Sequence, residues 1–230
     1  MRLYRKRMTT VFLKEKKCFV CGTGSRYPET SSAMSFSGPR DLDSRPAEMQ
    51  RSSVYLWVQR CLSCGYCAPD ISVGGDGLKA QVTAEAYVKQ LNDPHFPETA
   101  NSYLCQAMIL EEKQDFASAG WALLFAAWVS DDGGKKESSR ECRKRAISYF
   151  ERARQRHQAF APSRGEEVVI LVDLFRRSGQ FNAASNLCDI ELQAGHDQHI
   201  LDVLLYEKEL IGAVDIRKHT VREAVDAQEK

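Results

Sequence analysis

Two textures divide the chain. From about Val82 onward, apolar residues recur at helical spacing and prolines nearly vanish after Pro97, leaving only Pro162. That pattern predicts a helix from Thr83, as its cap, to Leu91, stopped by Asn92-Asp93-Pro94. A second is expected from about Glu98 to Lys113, with Tyr103, Ala107 and Leu110 on one stripe, and a third from about Phe116 to Val129 after the Gln114-Asp115 turn. Asp131-Asp132-Gly133-Gly134 reads as a helix-ending turn rather than a cation site. A long fourth helix should span about Glu137 to Gln158, burying Ala146, Phe150 and Ala153. Glu166–Ser178 and Phe181–Ala194 follow as a hairpin, then Asp197–Ile211 and about Ala213–Ala227. Trp121 and Trp128 lie seven apart, on one face, as packing residues.

The first third reads differently. Thr10–Leu13 and Val54–Val58 are rich in β-branched and aromatic residues and predict short strands. Between them, Gly22–Ser53 is rich in Ser, Gly, Pro and charge, and reads as a long loop. Each predicted strand leads into a cysteine pair: Cys18-Phe-Val-Cys21-Gly22 and Cys61-Leu-Ser-Cys64-Gly65. Two cysteines on a tight turn offer one edge of a tetrahedron, and a second such turn offers the opposite edge. The glycine after each pair supplies the positive φ that such a turn needs. Cys18, Cys21, Cys61 and Cys64 are therefore the candidate ligands of one Zn²⁺ per chain; tetrahedral iron is the rival metal. Four thiolates fill the coordination sphere, so the site should be structural and Cys67 a bystander.

Composition adds exclusions. With 230 residues, 43% hydrophobic and 27% charged, the chain can bury a real core. No apolar run approaches the ~18 residues of a membrane span, so no membrane partner is expected. Met1–Met8 has no apolar h-region; Met8 is itself a plausible start, and a reduced, cytoplasmic setting is expected. The formal net charge of +1 hides an asymmetry: residues 1–67 carry 12 Lys/Arg against 5 Asp/Glu. Residues 135–156 add 9 basic against 3 acidic side chains. These two basic stretches make nucleic acid the alternative partner. Pro39-Arg40-Asp41-Leu42-Asp43-Ser44-Arg45-Pro46 reads as a turn of self-paired Arg–Asp bridges. Its rival reading is a polar edge where Arg40 and Arg45 meet anions. His196-Asp197-Gln198-His199 is better explained by Asp197 capping the next helix than by metal binding. No nucleophile–base pair, phosphate-binding loop or H-E-x-x-H is present; no catalytic residue can be named, an enzyme is not expected, and no small-molecule substrate is indicated.

Tyr103, Ala107, Leu110, Phe116, Ala119, Leu123 and Ala126 fall at the offsets of a tetratricopeptide unit, as do Val168, Val172, Phe175, Gly179, Phe181, Ala184 and Cys188. The units are 65 residues apart, so the likeness is to tetratricopeptide-like hairpins and not to a strict array. The expected organisation is a flexible segment 1–9, a zinc ribbon with a long internal loop at 10–78, and a mainly α, TPR-like helical domain at 79–230 whose groove takes a protein or peptide. From about Thr10 onward the chain also resembles a prokaryotic domain-of-unknown-function family with a split C-x-x-C zinc ribbon followed by tetratricopeptide-like helices. The resemblance is carried by Lys17-Cys18-Phe-Val-Cys21, by Arg40–Pro46, by Trp57-Val58-Gln59-Arg60-Cys61-Leu-Ser-Cys64-Gly65-Tyr66 and by Ala126–Asp132. Phe19 and Leu62 stand where that family more often has proline. The resemblance implies a zinc-binding cytoplasmic protein and supplies no activity.

Overall fold

The structure, a computed structural model, describes residues 11–30, 38–48 and 50–229. The expected 1–9 segment, residue Thr10, and residues 31–37 and 49 of the expected loop lie outside the described residues. The chain is mainly α, with two small antiparallel sheets ahead of a helical bundle.

The first sheet pairs β1 (Val11–Lys17) with β2 (Gly24–Thr30), Lys14 opposite Tyr27 and Lys17 opposite Gly24. β2 was hidden inside the stretch expected to be loop, because Gly24-Ser-Arg-Tyr-Pro-Glu-Thr30 has no apolar alternation. Pro28 is tolerated because each strand of a two-stranded sheet keeps an open edge. The pair buries only Lys16 and Tyr27 well; Lys16 is held by Glu29 and, at 2.9 Å, by Asp70. The second sheet is β3 (Gln59–Arg60) against β4 (Cys67–Ala68).

The strand expected at Val54–Val58 is not formed: Arg51–Leu56 is a 3₁₀ turn. Its side chains find partners in the helices instead of a strand. Val54 is buried and its carbonyl accepts the Tyr103 hydroxyl at 2.6 Å, while Trp57 sets its ring edge-on to Phe125. Packing overrides β propensity.

Nine helices follow among the described residues. α1 (Leu78–Thr83) was missed, and Thr83 closes it rather than capping the next: its hydroxyl donates to the carbonyls of Lys79 and Ala80. α2 (Glu85–Leu91) starts from Ala84. α3 (Glu98–Glu112), α4 (Phe116–Asp132) and α5 (Lys136–Gln155) come close to expectation. Gln114 takes a φ of 58° between α3 and α4, and Asp115 caps α4 through the Ser118 N–H. α4 runs three residues beyond the expected end, carrying Asp131 and Asp132 into its last turn. α6 (Arg164–Arg177) and α7 (Phe181–Glu191) form the expected hairpin, and α8 (Gln198–Gly212) starts at Asp197, whose side chain makes no capping bond. α9 is Val221–Gln228, not a helix from Ala213. Asp215 accepts the backbone N–H of Arg217, a local turn that competes with helix, and Thr220 with Glu223 forms the capping box that starts α9.

One apolar cluster runs from Cys18 and Tyr27 through Val54, Cys61 and Ile71 into α1–α6. A second joins Leu42 to α6, α7, α8 and Ala224 of α9. Phe150 and Phe160 stack with centroids 4.2 Å apart, and Phe150 sits against Gly120, where a Cβ would lie 2.5 Å from its ring. No helix of the described residues is long and apolar enough to cross a membrane.

Candidate metal centre

Each cysteine pair sits on the same turn. Gly22 N–H donates to Cys18 O and Gly65 N–H to Cys61 O, both at 2.8 Å. Cys18 N–H then closes on Thr23 O at 2.9 Å, and Cys61 N–H on Tyr66 O at 2.8 Å. Both glycines have the positive φ expected of them, 72° at Gly22 and 78° at Gly65. The first turn joins β1 to β2, and the second joins β3 to β4.

The helices and the 69–74 segment bring the two turns together. Phe19 N–H donates to Ile71 O at 2.9 Å, tying the first turn to the chain just beyond the second. The Tyr87 hydroxyl of α2 donates to Gly65 O at 3.0 Å, and a Cβ at position 65 would lie 2.5 Å from Leu91 Cδ2. The four sulfurs lie within 4.8 Å of one another. Across the turns, Cys18 Sγ is 3.7 Å from Cys64 Sγ and Cys21 Sγ is 3.6 Å from Cys61 Sγ. Those spacings are too long for disulfides, and all four are free thiols. They match the ~3.8 Å edge of a tetrahedron with ~2.3 Å metal–sulfur bonds. The four cysteines could therefore hold a metal ion.

The electrostatics fit the same role. Contact with the Thr23 hydroxyl and backbone brings the Cys21 thiol down to about 6. Burial pushes the Cys18 and Cys64 thiols up, Cys64 strongly, so that four thiolates without a cation would be costly there. A bound cation supplies the opposing charge and deprotonates them outright. Cys67 stands outside the group: it is buried in β4, its thiol donating to Gly65 O at 3.3 Å.

The other sequence candidates resolve differently. The Arg40–Arg45 stretch is not a self-paired surface turn. Asp41, Asp43 and Arg45 are almost fully buried, and their partners come from elsewhere. Arg45 reaches Asp132 at 2.6 Å and Asp41 reaches Arg51 at 2.5 Å. Asp43 accepts the Trp128 indole N–H at 2.8 Å and Arg177 at 2.9 Å. Asp131 faces Arg143 at 2.6 Å and Arg177 at 2.9 Å, so its carboxylate is already engaged. Only Arg40 remains exposed, with no ion pair among the described residues. His196 meets Glu191 at 2.7 Å, whereas His199 lies exposed on the lip of a cleft, so the two histidines are not brought to one site.

That cleft was not visible in the sequence. It encloses about 760 Å³ between residues 38–44, α6, α8 and α9. Leu42, Val169, Ile200 and Val203 are its buried floor, and the half-exposed Val221 and Val225 form one wall. The residues come from four separated segments, which is why no local motif announced it.

Comparison with protein-family models, with curated proteins and with solved structures finds no match for this chain.

Proposed function

We propose that the four cysteines hold one structural zinc ion and that the helical body is a protein- or peptide-binding module. The observation that carries the metal reading is the sulfur tetrahedron assembled from two turns of identical hydrogen bonding. Four protein thiolates leave no position for water or substrate, so the ion acts by cross-linking the β1–β2 hairpin to the β3–β4 hairpin. The same sulfur set suits iron; a colourless protein with about one zinc per chain by elemental analysis supports zinc, and a red iron protein overturns it.

The binding reading rests on the cleft, whose apolar floor and exposed Val221 and Val225 suit the apolar face of a peptide helix. The α3–α4 and α6–α7 hairpins carry fully buried Ala119 and Ala184 at equivalent offsets, which supports a tetratricopeptide-like arrangement. Affinity capture with the intact chain and with a Val221→Glu/Val225→Glu variant tests it: a partner retained equally by both argues against the cleft.

Nucleic acid is the weaker reading because four of the seven cations of α5 are already engaged. Arg143 is buried against Asp131, and Arg140, Arg145 and Arg152 are paired with Glu137, Glu141 and Glu111. A complex with RNA or DNA that survives ~150 mM salt would reverse this order.

A further inference from the structure

Asp173 on α6 and Glu207 on α8 meet in the interior, at 1% and 0% side-chain exposure. Arg176 lies between them. Its Nη2 donates to Asp173 Oδ1 and its Nε to Glu207 Oε2, both at 2.6 Å. Its Nη1 donates to the carbonyls of Asp215 and Arg217. The second oxygen of each acid, Asp173 Oδ2 and Glu207 Oε1, is buried without a hydrogen-bond partner. Arg177 Nη1 stands 3.9 Å from Asp173 Oδ2, beyond hydrogen-bond reach. The two carboxyl groups are thus gathered on one guanidinium, each with an unsatisfied oxygen. Two like charges held this close in the interior do not both ionise cheaply, and one proton on the pair removes the repulsion and gives an orphaned oxygen a hydrogen to donate.

Charge balance points the same way. The connected ion pairs join four carboxyl groups, Asp43, Asp131, Asp173 and Glu207, to three guanidiniums, Arg143, Arg176 and Arg177. Fully ionised, the cluster, its side chains all buried but that of Asp131, carries one uncompensated negative charge, which the interior penalises heavily. One proton makes it neutral.

We propose that Asp173 and Glu207 share a single proton, carried on Glu207, and that this proton holds α6 against α8 beneath the cleft. Asp173 and Glu207 each lie four residues, one helical turn, beyond a cleft-floor residue, Val169 and Val203. The docking of the two helices that form the floor is thereby linked to pH. Burial, with Asp173 adding to it, pushes the Glu207 carboxyl up to about 8, and burial also raises Asp173, so the pair holds one proton in common. The other titratable groups facing Glu207 do not compete for that proton. Cys188 on α7 is a thiol raised by burial to about 12, and Tyr206 on α8 is a phenol raised by burial. From the 213–220 segment, Asp215 is held well below its ordinary range by Arg217.

Because the folded-state value lies above the unfolded one, the stabilisation is complete below the unfolded carboxyl pKa of ~4.5. It declines as pH rises to about 8 and is level beyond. Urea unfolding of the full chain from pH 5 to 9 tests this against Glu207→Gln, a neutral isostere. Between pH 5 and 8, the unfolding constant of the parent should rise about tenfold more per pH unit than that of the variant. Equal slopes overturn the proposal. Carbon-13 NMR of labelled glutamate carboxyls gives the direct reading: one glutamate should titrate above pH 7, and none doing so overturns the assignment. Should Glu207→Gln fail to fold, Asp173→Asn serves: with the like charge gone, Glu207 ionises more readily against Arg176 and its titration midpoint should fall. An unchanged midpoint overturns the shared proton.

Discussion

Cys67 lies three residues after Cys64, the same interval that separates the cysteines of each pair, yet its side chain points into β4's packing against α3. Substituting Cys18, Cys21, Cys61 or Cys64 by Ser should each abolish stoichiometric metal binding, whereas Cys67→Ser should retain it, as read by elemental analysis. Gly65 is constrained twice, by a φ of 78° and by Leu91 against the missing Cβ. Gly65→Ala should cost about 1–3 kcal/mol in urea unfolding, combining backbone strain with overpacking. Gly22 shares the φ but has open space around it, so Gly22→Ala should cost less.

Among the elements, the decisive one is the segment 38–48. It has no helix or strand of its own, yet it threads between the helices. Leu42 N–H bonds to His219 O and Val221 N–H to Arg40 O, while Asp43 is clamped by Trp128 and Arg177. Removing one partner of a buried charge pair strands the others, so Asp43→Ala should destabilise by about 3–5 kcal/mol in urea unfolding. Arg40→Ala, at an exposed side chain, should stay within about 0.5 kcal/mol. Asp131 gives this region an acid limit. Burial alone would raise its carboxyl, but Arg143 and Arg177 outweigh it and hold it at about 2, below the ordinary 3.8. The stabilisation is therefore full above pH ~4 and lost as pH falls towards about 2; Asp131→Asn should flatten that part of the acid unfolding profile.

At the scale of the molecule, Cys18 and Cys61 belong to the same apolar cluster as Tyr103, Leu124 and Trp128. Metal removal should therefore reach the helices. Chelation should lower the midpoint of helix-monitored thermal unfolding, and a helical transition indifferent to chelator would show that the cysteine turns and the bundle are energetically separate.

The cysteine spacing and the helical periodicity were legible because both are local: a C-x-x-C-G turn closes its own hydrogen bonds, and an apolar stripe repeats every 3.6 residues. The clustering of the four cysteines, the mainly α body and the ends of α3 could be read in this way. Tertiary structure decided the rest. It turned Val54–Val58 from a strand into packing for Tyr103 and Phe125, and Arg176, by claiming the carbonyls of Asp215 and Arg217, reinforces the local turn that delays the last helix to Val221. It also drew Asp41, Asp43 and Arg45 out of an apparent surface turn into the interior. A charged residue in a polar stretch reads as solvated unless its partner is visible. The partners of Asp43 and Arg45, namely Trp128, Arg177 and Asp132, lie 85 to 134 residues away, a separation that no local pattern encodes.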